Sequence, residues 1–409
     1  MAPRHTHIDW TQGNRIDLLH NGGEFFPALC EAIDQARSLV HLETYIFADD
    51  NTAKRVLDTL ESACRRGVKV RVVIDGFGSN ETVDAVTRRL SAMGAQYRVY
   101  RPEPRGVANV RFNVRRLRRL HRKTAVMDNA VAFVGGINIL DDYEDVPNDG
   151  RGARPRFDFA VRIKGPLVDA VARAQRGLWL RMAWRRRDDW ARFYERLRDW
   201  SAWRQRRVRH KQPVFDDGVR AALLVRDNLR HRQTIENVYL ATLAGARDEI
   251  LIANAYFLPG RRLRKALAEA AERGVRVRLL LQGHSEYAVQ YRACRYMYGR
   301  MLEMGIEIHE YMASYLHAKV AAIDGCAMVG SSNLDPFSLL LAREANVYVQ
   351  DHGFAHALAA VLESELRENA RPVTAEALQR RHWITRQIDG FSYLMLRLGV
   401  ALTGRSSEY

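Results

Sequence analysis

The chain has 409 residues, 47% of them hydrophobic and 27% charged, which excludes a largely disordered protein and exceeds one ordinary domain. Its formal net charge of +16 favours polyanions, and composition alone leaves nucleic acid, anionic membrane and phosphorylated substrates equally open. Four scattered cysteines, Cys30, Cys64, Cys294 and Cys326, lack metal-ligand spacing and read as reduced thiols of a reducing compartment.

The N-terminal MAPRHTHIDWTQGNRID has no apolar core of a secretory signal. No stretch reaches the roughly 18 apolar residues of a membrane span, so any membrane contact is expected to be peripheral. From residue 25 to 80 the pattern is an amphipathic helix, a strand (HLETYIF from His41), a second helix, and a β-rich run opened by Arg66-Gly67-Val68. The glycine suits a helix C-terminus and the Val-rich run a buried parallel strand. Next comes HRKTAVMDNAVAFVGGINI from His121, and then a strand opened by Asp158.

Residues 165–215 differ in character. Trp179, Trp184, Trp190, Trp200 and Trp203 lie among arginines, and Trp190, Phe193, Leu197 and Trp200 recur at helical spacing. Either a connecting helix docked through its tryptophans or an interfacial helix facing anionic lipid fits this pattern. From residue 235 to 286 the first unit repeats, with Arg273-Gly274-Val275 before its second β-rich run. HAKVAAIDGCAMVGSSNLD from His317 and a strand opened by Glu344 follow in the same order. The chain closes on Trp383 and on FSYLMLRLGVAL from Phe391, which suits a docked helix or a shallow anchor.

The matched order predicts an α/β fold of two duplicated domains, related by a pseudo-two-fold axis and sharing one active site at their interface. The expected divisions are 1–215, including the basic connecting segment, 216–380, and an amphipathic tail at 381–409.

In each half His, Lys and Asp occupy positions 1, 3 and 8: His121, Lys123 and Asp128, then His317, Lys319 and Asp324. An imidazole beside an ammonium is a poor structural pair unless an anion lies between them. A phosphate held by both lysines leaves a neutral histidine free to attack phosphorus. Two motifs then supply a nucleophile and a separate general acid/base. Asp158 and Glu344 are placed to orient a histidine, and Asn138, Asn333, Gly136, Ser331 and Ser332 to surround phosphate oxygens. Asp128 and Asp324, third members of the catalytic motif, read as braces of a strand–turn. The lysines and amides supply the positive field, so neither metal nor cofactor is expected.

HxKxxxxD followed by Gly-Gly-x-Asn or Gly-Ser-Ser-Asn, twice in register, resembles the signature of the phospholipase D superfamily. The likeness runs from about Asn14 to Val349. NGGEFFPAL from Asn21, HLETYIF, VGGINI, LHAKVAAIDG and VGSSNLDPFSLLLAREANV are similar to bacterial cardiolipin synthases of the shorter class, without N-terminal transmembrane helices. The resemblance implies transfer of a phosphatidyl group, through a phosphohistidine, to a glycerol-bearing acceptor such as phosphatidylglycerol. It also implies His121 as nucleophile, His317 as general acid/base, and a peripheral place on the cytoplasmic face of a bacterial inner membrane. A hydrolytic phospholipase D and a nuclease or other phosphodiesterase share the first half-reaction. The Trp–Arg segment with its apolar tail favours lipid over nucleic acid, although basic Trp-rich sequence also stacks single-stranded bases.

Overall fold

The computed structural model describes residues 8–103, 118–147, 153–184, 212–227 and 231–401. The expected basic helix through Trp190, Phe193, Leu197 and Trp200 lies outside them, as does Trp203. The first half comprises β1 (Trp10–His20), α1 (Asn21–Gln35), β2 (Leu39–Thr44), α2 (Asn51–Arg65), β3 (Lys69–Asp75), α3 (Val83–Ala92), β4 (Gln96–Tyr100), β5 (Lys123–Met127), β6 (Val131–Gly135), β7 (Phe159–Lys164) and α4 (Val168–Trp184). The second comprises β8 (Val219–Arg226), α5 (Thr234–Gly245), β9 (Glu249–Asn254), α6 (Arg261–Glu272), β10 (Arg276–Gln282), α7 (Ala288–Glu303), β11 (Glu307–Tyr311), β12 (Lys319–Ile323), β13 (Cys326–Gly330), α8 (Pro336–Leu340), β14 (Glu344–Gln350) and α9 (His352–Glu368). Then come β15 (Ala370–Pro372), α10 (Ala375–Gln379) and α11 (Trp383–Ala401).

Local chemistry sets these boundaries. Asp50 caps α2 by accepting from the Ala53 amide at 2.7 Å. Gly67 and Gly274 end α2 and α6 in the left-handed region, at φ 81° and 87°, where a side chain is disfavoured. The Val-rich runs that follow become β3 and β10, each parallel to the preceding strand of its half.

Among the described residues the strands form one sheet, ordered β15-β11-β10-β9-β12-β13-β14-β8-β1-β7-β6-β5-β2-β3-β4. Outwards from the central β8–β1 pair, β14-β13-β12-β9-β10-β11 runs one way and β7-β6-β5-β2-β3-β4 the other. Equivalent strands stand at equal distances from the seam, as a pseudo-two-fold axis through it requires.

The outer faces are covered by α1 and α2 in one half and by α5, α6 and α7 in the other. A third apolar cluster belongs to both halves, bringing Val134 and Val161 together with Val329 and Val347. These side chains are fully buried, and burial of each stabilises by about 1.5–3 kcal/mol. The halves therefore share a core, which fixes the relative position of anything carried on both. Trp179 is likewise a core residue: buried, with the Arg98 guanidinium 3.8 Å from its ring centre and His41 edge-on to it. The C-terminal run forms α11, which lies along α7 with Tyr393 stacked on Tyr296 at 5.0 Å.

Candidate active site

β5 and β12 begin at the lysines, so the two histidines stand just before their strands. Alternation along a strand therefore does not set the histidines beside the lysines. The segments preceding the histidines instead cross to the opposite half. Leu120 bridges Arg343 and Leu316 bridges Phe157. The His121 amide donates to the Arg343 carbonyl at 3.0 Å, and the His317 amide to the Phe157 carbonyl at 2.8 Å. Each histidine is thereby delivered next to the acidic residue that opens the far half's strand.

The consequence is an exchange of partners. His121 Nδ1 lies 3.0 Å from Glu344, and His317 Nδ1 lies 2.6 Å from Asp158. An ionised carboxylate only accepts, so Nδ1 carries the proton in both rings and Nε2 remains for substrate. The Ser331 hydroxyl donates to Glu344 at 2.5 Å, so its proton serves that carboxylate rather than a phosphate oxygen. Its counterpart, Gly136, has no room for a side chain: a Cβ there would stand 2.3 Å from an oxygen of Asp158. Lys123 Nζ donates to the carbonyl of His121 at 2.8 Å, and Lys319 does the same to His317.

These groups are almost sealed from water, and burial is the first influence on each. It lowers His121, an effect opposed by Glu344 and reinforced by Lys123 and Lys319. His317 lies well below its ordinary value through burial, then Lys319, Lys123 and Arg156. Burial brings Lys123 down to about 7 and Lys319 to about 8, against the pull of the two carboxylates. It raises Asp158 to about 6 despite Lys319 beside it. Two buried lysines, Lys319 adding to the lowering of Lys123, set a positive potential beside the histidines that suits an anion.

Asp128 and Asp324 are not brought to the histidines. They stand at the far ends of β5 and β12, in left-handed conformations at φ 52° and 46°. Asp128 accepts from the amides of Arg37, Ser38 and Leu39, and Asp324 from those of Arg247, Asp248 and Glu249. Each ties a hairpin to the start of the neighbouring strand, so the contacts they make are architectural. The hairpins differ in length, three residues joining β5 to β6 and two joining β12 to β13. The extra residue sits at that distant turn, and the loops after Gly135 and Gly330 correspond.

Asn138 and Asn333 lie on those loops, both buried. Asn138 Oδ1 accepts from the Ile46 amide at 3.1 Å, which fixes its amide plane, whereas Asn333 Oδ1 has no partner.

Further residues complete the site. Asp75 and Gln282 end β3 and β10 and accept from the amides of Leu120 and Leu316, at 2.7 and 3.1 Å, clamping the segments that present the histidines. Their matching positions after the Val-rich runs were the available signal. Tyr45 packs edge-on to His121 at 4.9 Å. Near His317, Arg156 pairs with Glu286 at 2.8 Å, and Glu286 also accepts from the Tyr256 hydroxyl at 2.8 Å. The position equivalent to Arg156 is Ala342, so this cluster breaks the symmetry, and the repeat gave no sign of it.

A family model described as "Cardiolipin synthase, PLD-like domain" matches residues 29–145 and 239–366, one segment in each half. The chain is 38% identical to cardiolipin synthase B of Salmonella typhimurium and 37% identical to that of Escherichia coli. Each match spans 94% of this chain and 89% of the relative. It is 27% identical to the major cardiolipin synthase of Bacillus subtilis, over 94% of this chain and 75% of that one. Among solved structures, the phosphatidylserine synthase of Haemophilus influenzae has the same fold, with a TM-score of 0.67 and 14% identity over 98% of this chain and 96% of that one. With its duplicated sheet, paired motifs and full-length relatives, the chain belongs to the cardiolipin synthase family of phospholipase D-like proteins.

Proposed function

We propose that the protein is a cardiolipin synthase that moves a phosphatidyl group from one phospholipid to phosphatidylglycerol through a phosphohistidine. The observation that carries this reading is the exchange of partners, His121 with Glu344 and His317 with Asp158, around two buried lysines. It gives two oriented imidazoles one phosphate-binding field to share. The names of the full-length relatives supply the lipid identity.

In the first half-reaction Nε2 of His121 attacks the donor phosphorus as the bond from phosphorus to the headgroup oxygen breaks. His317 acts as the acid once the negative charge of the bound phosphate, with Asp158 at Nδ1, offsets the burial and the cations that hold its pKa low. The second proton it then carries, at Nε2, passes to the departing alcohol. Lys123 and Lys319, as ammonium groups, bind the non-bridging oxygens, and the charge gathering there holds them in that form. In the second, now-neutral His317 takes the proton of the acceptor hydroxyl, whose oxygen attacks phosphorus and releases His121. With phosphatidylglycerol as both donor and acceptor, the products are cardiolipin and glycerol. The order of the two histidines follows the superfamily resemblance. The same reading places the enzyme peripherally on the cytoplasmic face of a bacterial membrane, in keeping with four unpaired cysteines.

The test is incubation with phosphatidylglycerol vesicles followed by mass spectrometry of the lipids. Cardiolipin with stoichiometric glycerol is expected. Phosphatidic acid alone would make the enzyme a hydrolase, and unchanged lipid would remove phospholipid as the substrate.

A further inference from the structure

α11 buries one side and leaves the other bare. Val400 packs on Leu340 and Leu341, and Asp389 is buried between Arg381, at 2.7 Å, and Arg292, at 3.9 Å. On the opposite side Ile384, Ile388, Phe391, Leu394, Met395 and Leu398 are 42–63% exposed, and either of the adjacent Leu394 and Met395 continues the spacing of three and four that links the others. They form a continuous apolar stripe along the helix. Trp383, 66% exposed, stands at its start. Isolated exposed apolar residues are ordinary, but a full-length stripe marks an interaction surface.

Charge indicates what covers it. The only acid on α11 is the buried Asp389, and its remaining charges are Arg386 and Arg397. An apolar face edged solely by cations, with a tryptophan at one end, matches an anionic lipid interface. Among the described residues no helix is long and apolar enough to cross a membrane. α11 therefore suits a position in the plane of the leaflet.

The surface is continuous with the catalytic loops. A groove of about 830 Å³ runs beside α11, with Phe391 and Leu398 on one wall, Leu258 and Pro336 on the other, and Arg264 among its cations. The Leu258 amide donates to the carbonyl of Leu334, next to Asn333, and Pro336 follows two residues later. At the other end, α7 begins beside Tyr287, which is 57% exposed and follows Glu286 of the active site.

From this we infer that α11 is the docking element of the protein, lying in the plane of an anionic leaflet and holding the active site against it. The inference rests on the phospholipid reading above. Vesicle flotation tests it without turnover, so inactivity toward phosphatidylglycerol would defeat the functional reading and leave this measurement standing.

The variant Phe391→Ser/Leu394→Ser/Leu398→Ser alters side chains exposed by half or more, and unchanged circular dichroism and melting verify its fold. On vesicles rich in phosphatidylglycerol its binding is expected to fall at least about tenfold below wild type. A second variant, Arg386→Glu/Arg397→Glu, is expected to erase the preference for these vesicles over phosphatidylcholine. Flotation of the folded triple variant equal to wild type overturns the inference. So does a wild-type dimer that the triple substitution dissociates while vesicle binding stays unchanged, because the stripe would then be a contact between two copies.

Discussion

Replacing Glu344 with glutamine tests whether a carboxylate from one half governs the histidine of the other. The side chain is fully buried, and His121 Nδ1 and the Ser331 hydroxyl converge on it at 3.0 and 2.5 Å. Glutamine keeps the volume and removes the charge. Loss of one charge-assisted hydrogen bond costs about 1.5–3 kcal/mol, or roughly 10- to 100-fold in rate. If the amide also presents its NH2 to Nδ1, the ring adopts the other tautomer and the proton moves to the attacking nitrogen. Such an error costs up to about 10⁴-fold in an analogous orienting pair. The expected fall in kcat/KM is therefore about 10- to 10⁴-fold, read from initial rates of cardiolipin formation with the melting temperature as a control for folding. Glu344 is also the main group that raises the His121 pKa, so any residual activity should have its His121-dependent limb shifted to lower pH. Glu344→Gln with more than half of wild-type kcat/KM and an unmoved pH profile would refute the orienting role.

The remaining expectations concern pH and the motif aspartates. kcat/KM should be bell-shaped, falling on the acid side as Asp158 protonates near 6 and on the alkaline side as Lys123 and Lys319 lose protons near 7 and 8. Bound phosphate favours the charged lysines, so the alkaline limb of kcat should lie at higher pH than that of kcat/KM. Coincident limbs would remove the lysines from phosphate binding. Asp128→Asn should cost about 1–2 kcal/mol of stability and leave kcat within a few-fold of wild type, measured by denaturant unfolding and by turnover of the folded variant. Against the pull of burial, its amide donors hold Asp128 below its ordinary value, so this stabilisation is full above the unfolded pKa and is lost as pH falls through the folded one.

The repeat made much of this architecture legible. The matched glycines at 67 and 274, the Val-rich runs and the motif order specify equivalent strands, and the sheet sets these at equal distances from its seam. The partnership between carboxylates and histidines was legible only in kind. Glu344 is 223 residues from His121, and Asp158 is 159 from His317. The pairing arises because short backbone segments bridge the halves, which no periodicity within one half reveals. Ser331 resembled a phosphate ligand because a hydroxyl beside a glycine suits either task. Only the nearby Glu344 oxygen shows which one takes its proton. The Arg156–Glu286–Tyr256 cluster was invisible for the opposite reason: it has no counterpart across the axis, and likeness between halves is the signal that marks the site in the sequence.

The most direct test of a single shared site compares His121→Ala, His317→Ala and the double variant in single-turnover assays with phosphatidylglycerol. If the two histidines act on one phosphate, each single variant loses essentially as much phosphatidyl transfer as the double variant, with wild-type melting temperatures throughout. Single variants that each keep about half of wild-type activity, with only the double variant inactive, would mean two independent sites and would contradict the shared centre.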